Sequence, residues 1–367
     1  MISNLLKNLA QQQKEGIAKG YLKGIFASQR LHSLVPYSRE DENIFFSSAI
    51  IFTLKELYPS IPNNLKPIVD DITEQVINCY PYFKNFKGGK TYNFFKTDPM
   101  DFFPNGKVMQ HFNFFKLADD ADDTVYIYLT DPKKKKHEWL KEKLIKHANG
   151  TLQWNFHKRT QYKNLRTYAV YFGKKMPIET DACVLTNILL WSSKNKLKVC
   201  KQDKDSISYL LRTVTSKDYV NYPYLISPCY PTTAQICYHY SRLIKTTDKH
   251  HLLSILRIIL IDDIKTILKK PQSFIDEVFY HTSLLNLGIK PNRKLRYQLK
   301  DVLNNTNYFY TSIPLMIPKL WARKMQKYKI SHFLGLRTRC DGYTTSLLLE
   351  YEILYKKITE LALETNK

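Results

Sequence analysis

Apolar residues recur along this chain in two kinds of helical segment. Six segments are apolar on nearly all sides, and most of them begin with a polar or acidic cluster. The segments between them are apolar on one side only. A helix that is apolar all round is buried, whereas a one-sided helix covers a core. The clusters that open the six segments lie near Glu40, Asp119, Glu179, Pro231, Phe274 and Asp341.

This alternation predicts an all-α fold with six inner and several outer helices, which is the arrangement of an (α/α)6 toroid. The N-termini of the inner helices would gather at one end, where helix dipoles attract anions and acidic side chains. That end is the expected active site. An irregular all-helical bundle is the alternative fold. The residues expected near the active end are Glu40, Asp122, Asp181, Thr232 and Asp341.

The chain is expected to form one toroid domain over residues 1–367. It would begin with an amphipathic helix over about residues 1–30, because Leu, Ile and Phe recur there at helical spacing. Residues 81–118 are dense in Phe and Tyr and interrupted by three prolines, which predicts a long aromatic loop. Residues 151–173 carry strand-like runs and are expected to form a small β-hairpin inserted among the helices.

The charge balance points to an anionic partner. Lys and Arg number 56 against 33 Asp and Glu, which gives a net charge of +23. Nucleic acid, a membrane surface and phosphate-bearing substrates all fit such a charge. No nucleic-acid-binding module is recognisable, so we expect no nucleic acid partner. The run Lys133–Lys136 and the basic helix after it favour peripheral docking on an anionic membrane.

The cysteines and the N-terminal sequence indicate the cellular compartment. The six cysteines form no CxxC pair and no tight framework, and the N-terminus lacks a secretory signal. These features indicate reduced thiols and a cytoplasmic protein. The most apolar stretch, residues 251–261, is too short to cross a bilayer.

The densest candidate chemistry is the segment Asp119–Thr124, which holds four carboxylates within five residues, just before an apolar run. One Asp suffices to cap a helix N-terminus. Carboxylates this close repel each other, so the pKa of at least one should rise. The cluster therefore fits a metal site, a protonated acid ready for catalysis, or a solvated helix start.

The motif Asp120-Ala121-Asp122-Asp123-Thr124 resembles the DxDDT motif of class II terpene cyclases, which are α/α toroids. The resemblance implies proton-initiated cyclisation of an isoprenoid substrate, without a cofactor. Asp122 would be the general acid, and Asp120 and Asp123 would be the flanking catalytic carboxylates. Protonating an alkene requires a strong acid in a dry site, and the carbocation then requires aromatic faces.

Residues expected to bind the substrate lie near the cluster or on an inner helix. They are Asp119, Tyr92, Phe114, Phe115, Tyr238, His239 and Arg242. Arg242 on an inner helix would require a carboxylate or phosphate partner.

Other interpretations use overlapping residues. Asp119–Asp123 also resembles the DDxxD motif of class I terpene synthases, which bind Mg²⁺ and an isoprenoid diphosphate; Asp262-Asp263 begins like the second metal motif of that family. Asp181, Cys183 and His239 resemble the zinc ligands of protein prenyltransferase β-subunits. Toroids also include carbohydrate-active enzymes with paired carboxylates. A non-catalytic toroid that binds a partner is the remaining class.

Overall fold

The computed structural model describes residues 1–32, 37–100, 117–152, 160–173, 178–247, 251–309 and 336–364. The described chain is mostly helical, as predicted, and carries one small sheet. The helices are α1 (Ile2–Ala18), α2 (Phe45–Leu57), α3 (Lys66–Cys79), α4 (Ala121–Thr130), α5 (His137–Lys146), α6 (Ala182–Lys194), α7 (Lys201–Thr215), α8 (Asp218–Asn221), α9 (Pro223–Ile226), α10 (Thr233–Thr246), α11 (His251–Ile267), α12 (Phe274–Asn286), α13 (Leu299–Asn305) and α14 (Asp341–Glu364).

Six of these helices pack against one another in chain order. Helix α2 contacts α4, α4 contacts α6, α6 contacts α10, α10 contacts α12, α12 contacts α14, and α14 contacts α2 again. Nearly every residue of α2, α4, α6 and α10 is buried, as their all-round apolar sequences predict. These contacts run in chain order from α2 to α14 and back to α2, and the six helices begin close to the six predicted starts.

The inner helices point the same way. At their N-terminal ends, the rings of Phe46 in α2 and Tyr343 in α14 lie 5.5 Å apart. Contacts also join the C-terminal ends, and the pairs are Lys55 with Thr130, Glu56 with Lys194, and Lys245 with Asn286. N-terminal ends therefore contact N-terminal ends, and C-terminal ends contact C-terminal ends, as expected for helices that run in the same direction.

Four of the five residues expected at the active end occupy helix starts. Asp181 and Thr232 cap α6 and α10, Asp122 lies in the first turn of α4, and Asp341 opens α14. Glu40 lies instead in a strand before α2, where Lys19 and Tyr21 bind its carboxylate.

The one-sided helices pack against these six helices. Helix α1 packs on α14 and α3, and α3 packs on α2. On the other side, α7 packs on α6 and α11, while α11 contacts α10 and α12. One contiguous cluster of buried apolar side chains extends through both layers, from Leu5 in α1 to Ile353 in α14.

The sheet lies elsewhere than predicted. Its strands are β1 (Gln29–His32), β2 (Ser38–Glu40), β3 (Tyr308–Phe309) and β4 (Leu336–Arg339), paired antiparallel in the order β2-β1-β4-β3. Residues 160–173, the part of the predicted hairpin after residue 159, contain no strand, and Tyr171 makes only an isolated bridge to Asp120. The sheet joins distant parts of the chain, which periodicity within one segment does not reveal.

The N-terminal helix is shorter than predicted. It ends at Ala18 rather than near residue 30, and β1 follows. Gly20 and Gly24 adopt φ of +81° and +112°, which a helix does not accommodate. A Cβ on Gly24 would also lie 2.4 Å from the carbonyl oxygen of Gln75, so this turn packs backbone to backbone against α3.

Within the described residues, no helix combines the length and the apolar character that crossing a bilayer requires.

Candidate active site

The acidic segment forms the buried start of α4. Asp120 is the N-cap, with an extended backbone, and its side chain accepts a 2.7 Å hydrogen bond from the backbone N–H of Asp123. Asp122 and Asp123 occupy the first turn. These three carboxyl groups and that of Asp119 are all at most 8% exposed. The solvated helix start, one of the three interpretations of the sequence, does not describe this site.

Asp122 is held by two side chains from other inner elements. Asn187 in α6 donates a 2.7 Å hydrogen bond to Oδ1, and the Tyr230 hydroxyl, just before α10, donates to Oδ2. Burial raises the pKa of Asp122 to about 7, although these two hydrogen bonds oppose the shift. Asp122 is therefore substantially protonated near neutral pH, inside a water-poor site.

The hydrogen bonds continue from Asp122 to a buried histidine. The Oδ1 atom of Asn187 lies 3.1 Å from Nδ1 of His239 in α10. Burial, followed by the charge of Arg242, lowers the pKa of His239 well below its usual value, so the imidazole is neutral. Because Asn187 donates through Nδ2 to Asp122, its Oδ1 accepts, which assigns the proton of the imidazole to Nδ1.

The carboxyl groups of Asp120 and Asp123 interact as a pair. Among the described residues, no donor reaches either carboxyl oxygen of Asp123, which is 1% exposed. Burial and then the charge of Asp120 raise the pKa of Asp123 well above its usual range. The protonated Asp123 has a partner in the carboxylate of Asp120, whose own pKa burial raises to about 6. The pair therefore holds one proton beside Asp122.

Asp119 has a separate set of partners. Its Oδ2 accepts hydrogen bonds from Asn85 and from Thr91 at 2.5 Å, and its Oδ1 accepts one from Asn93 at 3.3 Å. These residues belong to the loop that precedes α4, so Asp119 anchors that loop.

The other predicted substrate-binding residues that the structure describes lie in two separate regions. Tyr92 packs beside Asp120 on the loop side, where its carbonyl accepts the Asp120 N–H and its ring lies 5.3 Å from Lys134 Nζ. Tyr238 and Arg242 lie with His239 on α10, and all three are buried. Phe114 and Phe115 lie outside the described residues.

Aromatic and charged side chains from α2, α10 and α14 meet around Arg242. The Arg242 guanidinium lies 4.4 Å from the ring centroid of Phe52, on the opposite inner helix α2, and 5.1 Å from that of Tyr238. The Tyr238 hydroxyl donates a 2.6 Å hydrogen bond to Glu350 in α14. Among the described residues, Nη2 of Arg242 finds no hydrogen-bond acceptor.

Aromatic rings also surround the acid itself. Phe45, at the start of α2, lies 5.8 Å from Tyr230 and 6.1 Å from Tyr126, centroid to centroid. The ring of His239 lies 4.6 Å from that of Tyr230. Sequence reasoning did not single out Asn187, Tyr230, Phe45 or Tyr126. The one usable signal was Asn187, an amide within the apolar run of α6.

The residues of the metal hypotheses have other partners. Asp263 lies on the outer helix α11 and accepts hydrogen bonds from Lys217 and Tyr219. Asp181 caps α6 and also accepts from Ser227 and the backbone of Cys229. In the part of the chain that the structure describes, no three Asp, Glu, His or Cys side chains are grouped to hold a metal ion.

Two surface pockets lie elsewhere, one beside the N-terminus of α1 and one between the starts of α10 and α12. Residues 119–123 line neither of them. No protein-family model, curated protein or solved structure shows a significant match to this chain.

Proposed function

We propose that the inner helices form an (α/α)6 toroid. The support is the closed order of contacts from α2 through α14 and back to α2, together with the common direction of the inner helices. The outer helices α1, α3, α7 and α11 cover this ring. An experimental structure in which α14 and α2 do not pack together would contradict the closed ring.

We further propose that Asp122 is the general acid of a proton-initiated cyclisation of an isoprenoid. The observation that carries this proposal is a buried carboxyl group with a pKa of about 7, oriented by Asn187 and Tyr230. A general acid works best when its pKa lies near the operating pH. The neighbouring pair, Asp120 and Asp123, stores another proton and opposes ionisation of Asp122 through its negative charge.

The chemistry follows from this geometry. Asp122 gives its proton to an alkene carbon, the π bond opens, and a carbocation forms. The faces of Phe45, Tyr126 and Tyr230 carry the negative quadrupole that stabilises a cation. The reaction ends when the product cation loses another proton, and Asp122 regains a proton from solvent. Substrate access requires side chains around Asp122 to move, because Asp122 is 6% exposed.

The test is turnover in heavy water. The protein is incubated in D₂O with farnesyl diphosphate, geranylgeranyl diphosphate or squalene, and products are analysed by mass spectrometry. A proton-initiated reaction places one solvent deuterium on a product carbon and continues in EDTA. A Mg²⁺-dependent class I-like reaction stops in EDTA and requires no solvent deuteron at its first step.

Variants within the motif sharpen this test. Asp122→Asn keeps the shape and removes the acid, and we expect turnover to fall by about 10⁴-fold, the upper end for general acid catalysis. Asp119→Asn is the matched control, because Asp119 binds the preceding loop rather than α6 or α10. Equal turnover by wild type and Asp122→Asn would refute the assignment.

A second candidate is a toroid without catalytic activity. One observation favours it: the guanidinium of Arg242 in α10 lies against the ring of Phe52 in α2, so side chains occupy the space between these two helices. In this case the network around Asp122 stabilises the fold alone. Absence of turnover across the isoprenoid panel, with a lower urea midpoint for Asp122→Asn than for wild type, would select this candidate.

A further inference from the structure

A tight turn over residues 85–91 lies at the protein surface, before the acidic segment that opens α4. The backbone N–H of Asn85 donates a 2.9 Å hydrogen bond to the carbonyl oxygen of Thr91 and closes the turn. Inside the turn, Oδ1 of Asn85 accepts a 3.0 Å hydrogen bond from the backbone N–H of Lys87. Nδ2 of Asn85 donates to the buried carboxylate of Asp119. The turn is therefore held by its own hydrogen bonds and anchored to the protein interior.

The tip of this turn presents an aromatic ring beside a cation. Phe86 is 50% exposed, and Nζ of Lys87 lies 5.5 Å from the centroid of its ring. A single exposed apolar side chain is common on protein surfaces. Here the ring stands on a fixed turn among lysines, which is an arrangement that suits a membrane interface. The ring can enter the boundary of the acyl chains while the ammonium groups remain among the headgroups.

Two lysine side chains meet beside this turn. Lys90 lies within hydrogen-bonding distance of Lys136, the residue before α5, and this contact is the main cause that lowers the pKa of Lys90. Nζ of Lys90 also lies 5.2 Å from the ring centroid of Trp139 in α5. Lys134 pairs with Asp131, whereas no carboxylate of the described residues pairs with Lys90 or Lys136. Two ammonium groups this close repel each other unless an anion lies between them.

The chemistry of this surface favours a phosphate group as that anion. A phosphate accepts charge-assisted hydrogen bonds from two ammonium groups at once, which replaces their repulsion by attraction. Lys133 and Lys135, which are exposed just before α5, extend the positive surface. Single-stranded nucleic acid binds in basic grooves, and neither of the two surface pockets includes residues of the turn or of α5. The exposed ring and the charge therefore favour a membrane over a nucleic acid.

We propose that the 85–91 turn and the start of α5 form a docking surface for a membrane that contains anionic phospholipids. Phe86 enters the interface, and the phosphate of one headgroup binds between Lys90 and Lys136. The sequence points only to the run Lys133–Lys136 and the helix after it, and the structure adds the turn that supplies the apolar contact. The inference does not depend on the proposed cyclisation, because vesicle binding requires no turnover.

The experiment is sedimentation of the full chain at low salt with phosphatidylcholine vesicles that contain or lack phosphatidic acid. We expect wild type to bind only the vesicles with phosphatidic acid. Lys90→Gln/Lys136→Gln should weaken this binding at least about tenfold, because both lysines lie at the anionic surface. Lys265→Gln/Lys300→Gln is the matched control, since it removes the same charge from exposed positions on α11 and α13. We expect the control to bind within about twofold of wild type, because salt screens distant charges.

A second pair of variants tests the position of Phe86 directly. Phe86→Trp and Ile258→Trp each place an indole at an exposed apolar position, and Ile258 on α11 is 67% exposed. With brominated phosphatidylcholine in the vesicles, the fluorescence of Phe86→Trp should be quenched more strongly than that of wild type. Ile258→Trp should show no quenching beyond that of wild type.

Three results would each overturn the proposal: no sedimentation of wild type with the phosphatidic acid vesicles, equal weakening by the two double lysine variants, or equal quenching of Phe86→Trp and Ile258→Trp. Wild-type binding to a single-stranded oligonucleotide but not to vesicles would overturn it too, and would identify nucleic acid as the partner. All four variants replace side chains at the surface, so we expect unchanged melting temperatures, which separate a loss of docking from a loss of folding.

Discussion

The protonated state of Asp122 can be tested without any substrate, through the pH dependence of stability. In the folded protein burial raises its pKa to about 7, from a usual value of 3.8. A carboxyl group with a raised pKa contributes stability that is fully present below its unfolded pKa and is lost as pH rises through its folded pKa. The expected window of loss is therefore between about pH 4 and pH 7.

The magnitude follows from the two pKa values. The shift of about 3 units corresponds to about 4 kcal/mol at 1.36 kcal/mol per unit. Between pH 5 and pH 8 the contribution of Asp122 to the free energy of unfolding should fall by about 2–3 kcal/mol. The rest is already lost at pH 5, which lies about one unit above the unfolded pKa. Asp122→Asn has no proton to lose, so its stability should fall less over this interval.

The assay is urea unfolding of wild type and Asp122→Asn at pH 5 and pH 8, followed by circular dichroism. Glu179 and Asp120, whose pKa values burial raises to about 7 and about 6, are present in both proteins. The difference between the two pH slopes therefore isolates Asp122, provided that the urea dependence is the same. Identical slopes would mean that Asp122 is already ionised at pH 5, and would remove the basis for a general acid.

Three further predictions concern other parts of the molecule. Tyr230→Phe should raise the pKa of Asp122 by about 1–2 units, since a hydrogen bond to a charged group contributes about 1.5–3 kcal/mol. NMR titration measures this pKa, and Tyr240→Phe, which removes a hydrogen bond to Thr213, should leave it unchanged. Replacing Lys133, Lys135 and Lys136, the exposed members of the basic run, by alanine should weaken binding to phosphatidylserine vesicles at low salt, at about 1 kcal/mol per lysine. Absence of wild-type sedimentation with these vesicles would refute membrane docking. Gly24→Ala should lower the free energy of unfolding by about 1–3 kcal/mol or more, and by more than Gly20→Ala does. Both glycines have a positive φ, but a Cβ at residue 24 would also lie against the backbone of Gln75, whereas a Cβ at residue 20 meets no atom within 4 Å. Equal urea midpoints for the two variants would refute this.

The helix starts were predictable because their signals are local. Asp120, Asp181, Thr232 and Ser273 each cap the helix that follows, and each side chain accepts from a backbone N–H two or three residues later. Such caps, followed by apolar runs, can be recognised in sequence. The all-round apolar pattern also identified the buried helices, because burial of every face leaves no polar side.

The partners of the acid were not predictable in the same way. Asn187 and Tyr230 are 65 and 108 residues from Asp122 in sequence, and only the packing of α4 against α6 and α10 brings them together. The sheet is a similar case, since β1 near the N-terminus pairs with β4 near the C-terminus. Contacts of this kind depend on tertiary packing and leave no periodic signal along the chain.

Different charges lie near the two ends of α10. Tyr230 holds Asp122 just before this helix begins, whereas Arg242 lies nine residues after Thr233, about 14 Å further along the axis. Burial raises the pKa of Asp122 despite the positive end of α4, so desolvation outweighs the dipole there. A cation generated at Asp122 would be attracted towards the ionised acid, whereas the charge of Arg242 is opposed by the nearby Glu350. In the proposed cyclisation the cation would therefore be held at the N-terminal end of α10, where the side chains of Phe45 and Tyr126 lie.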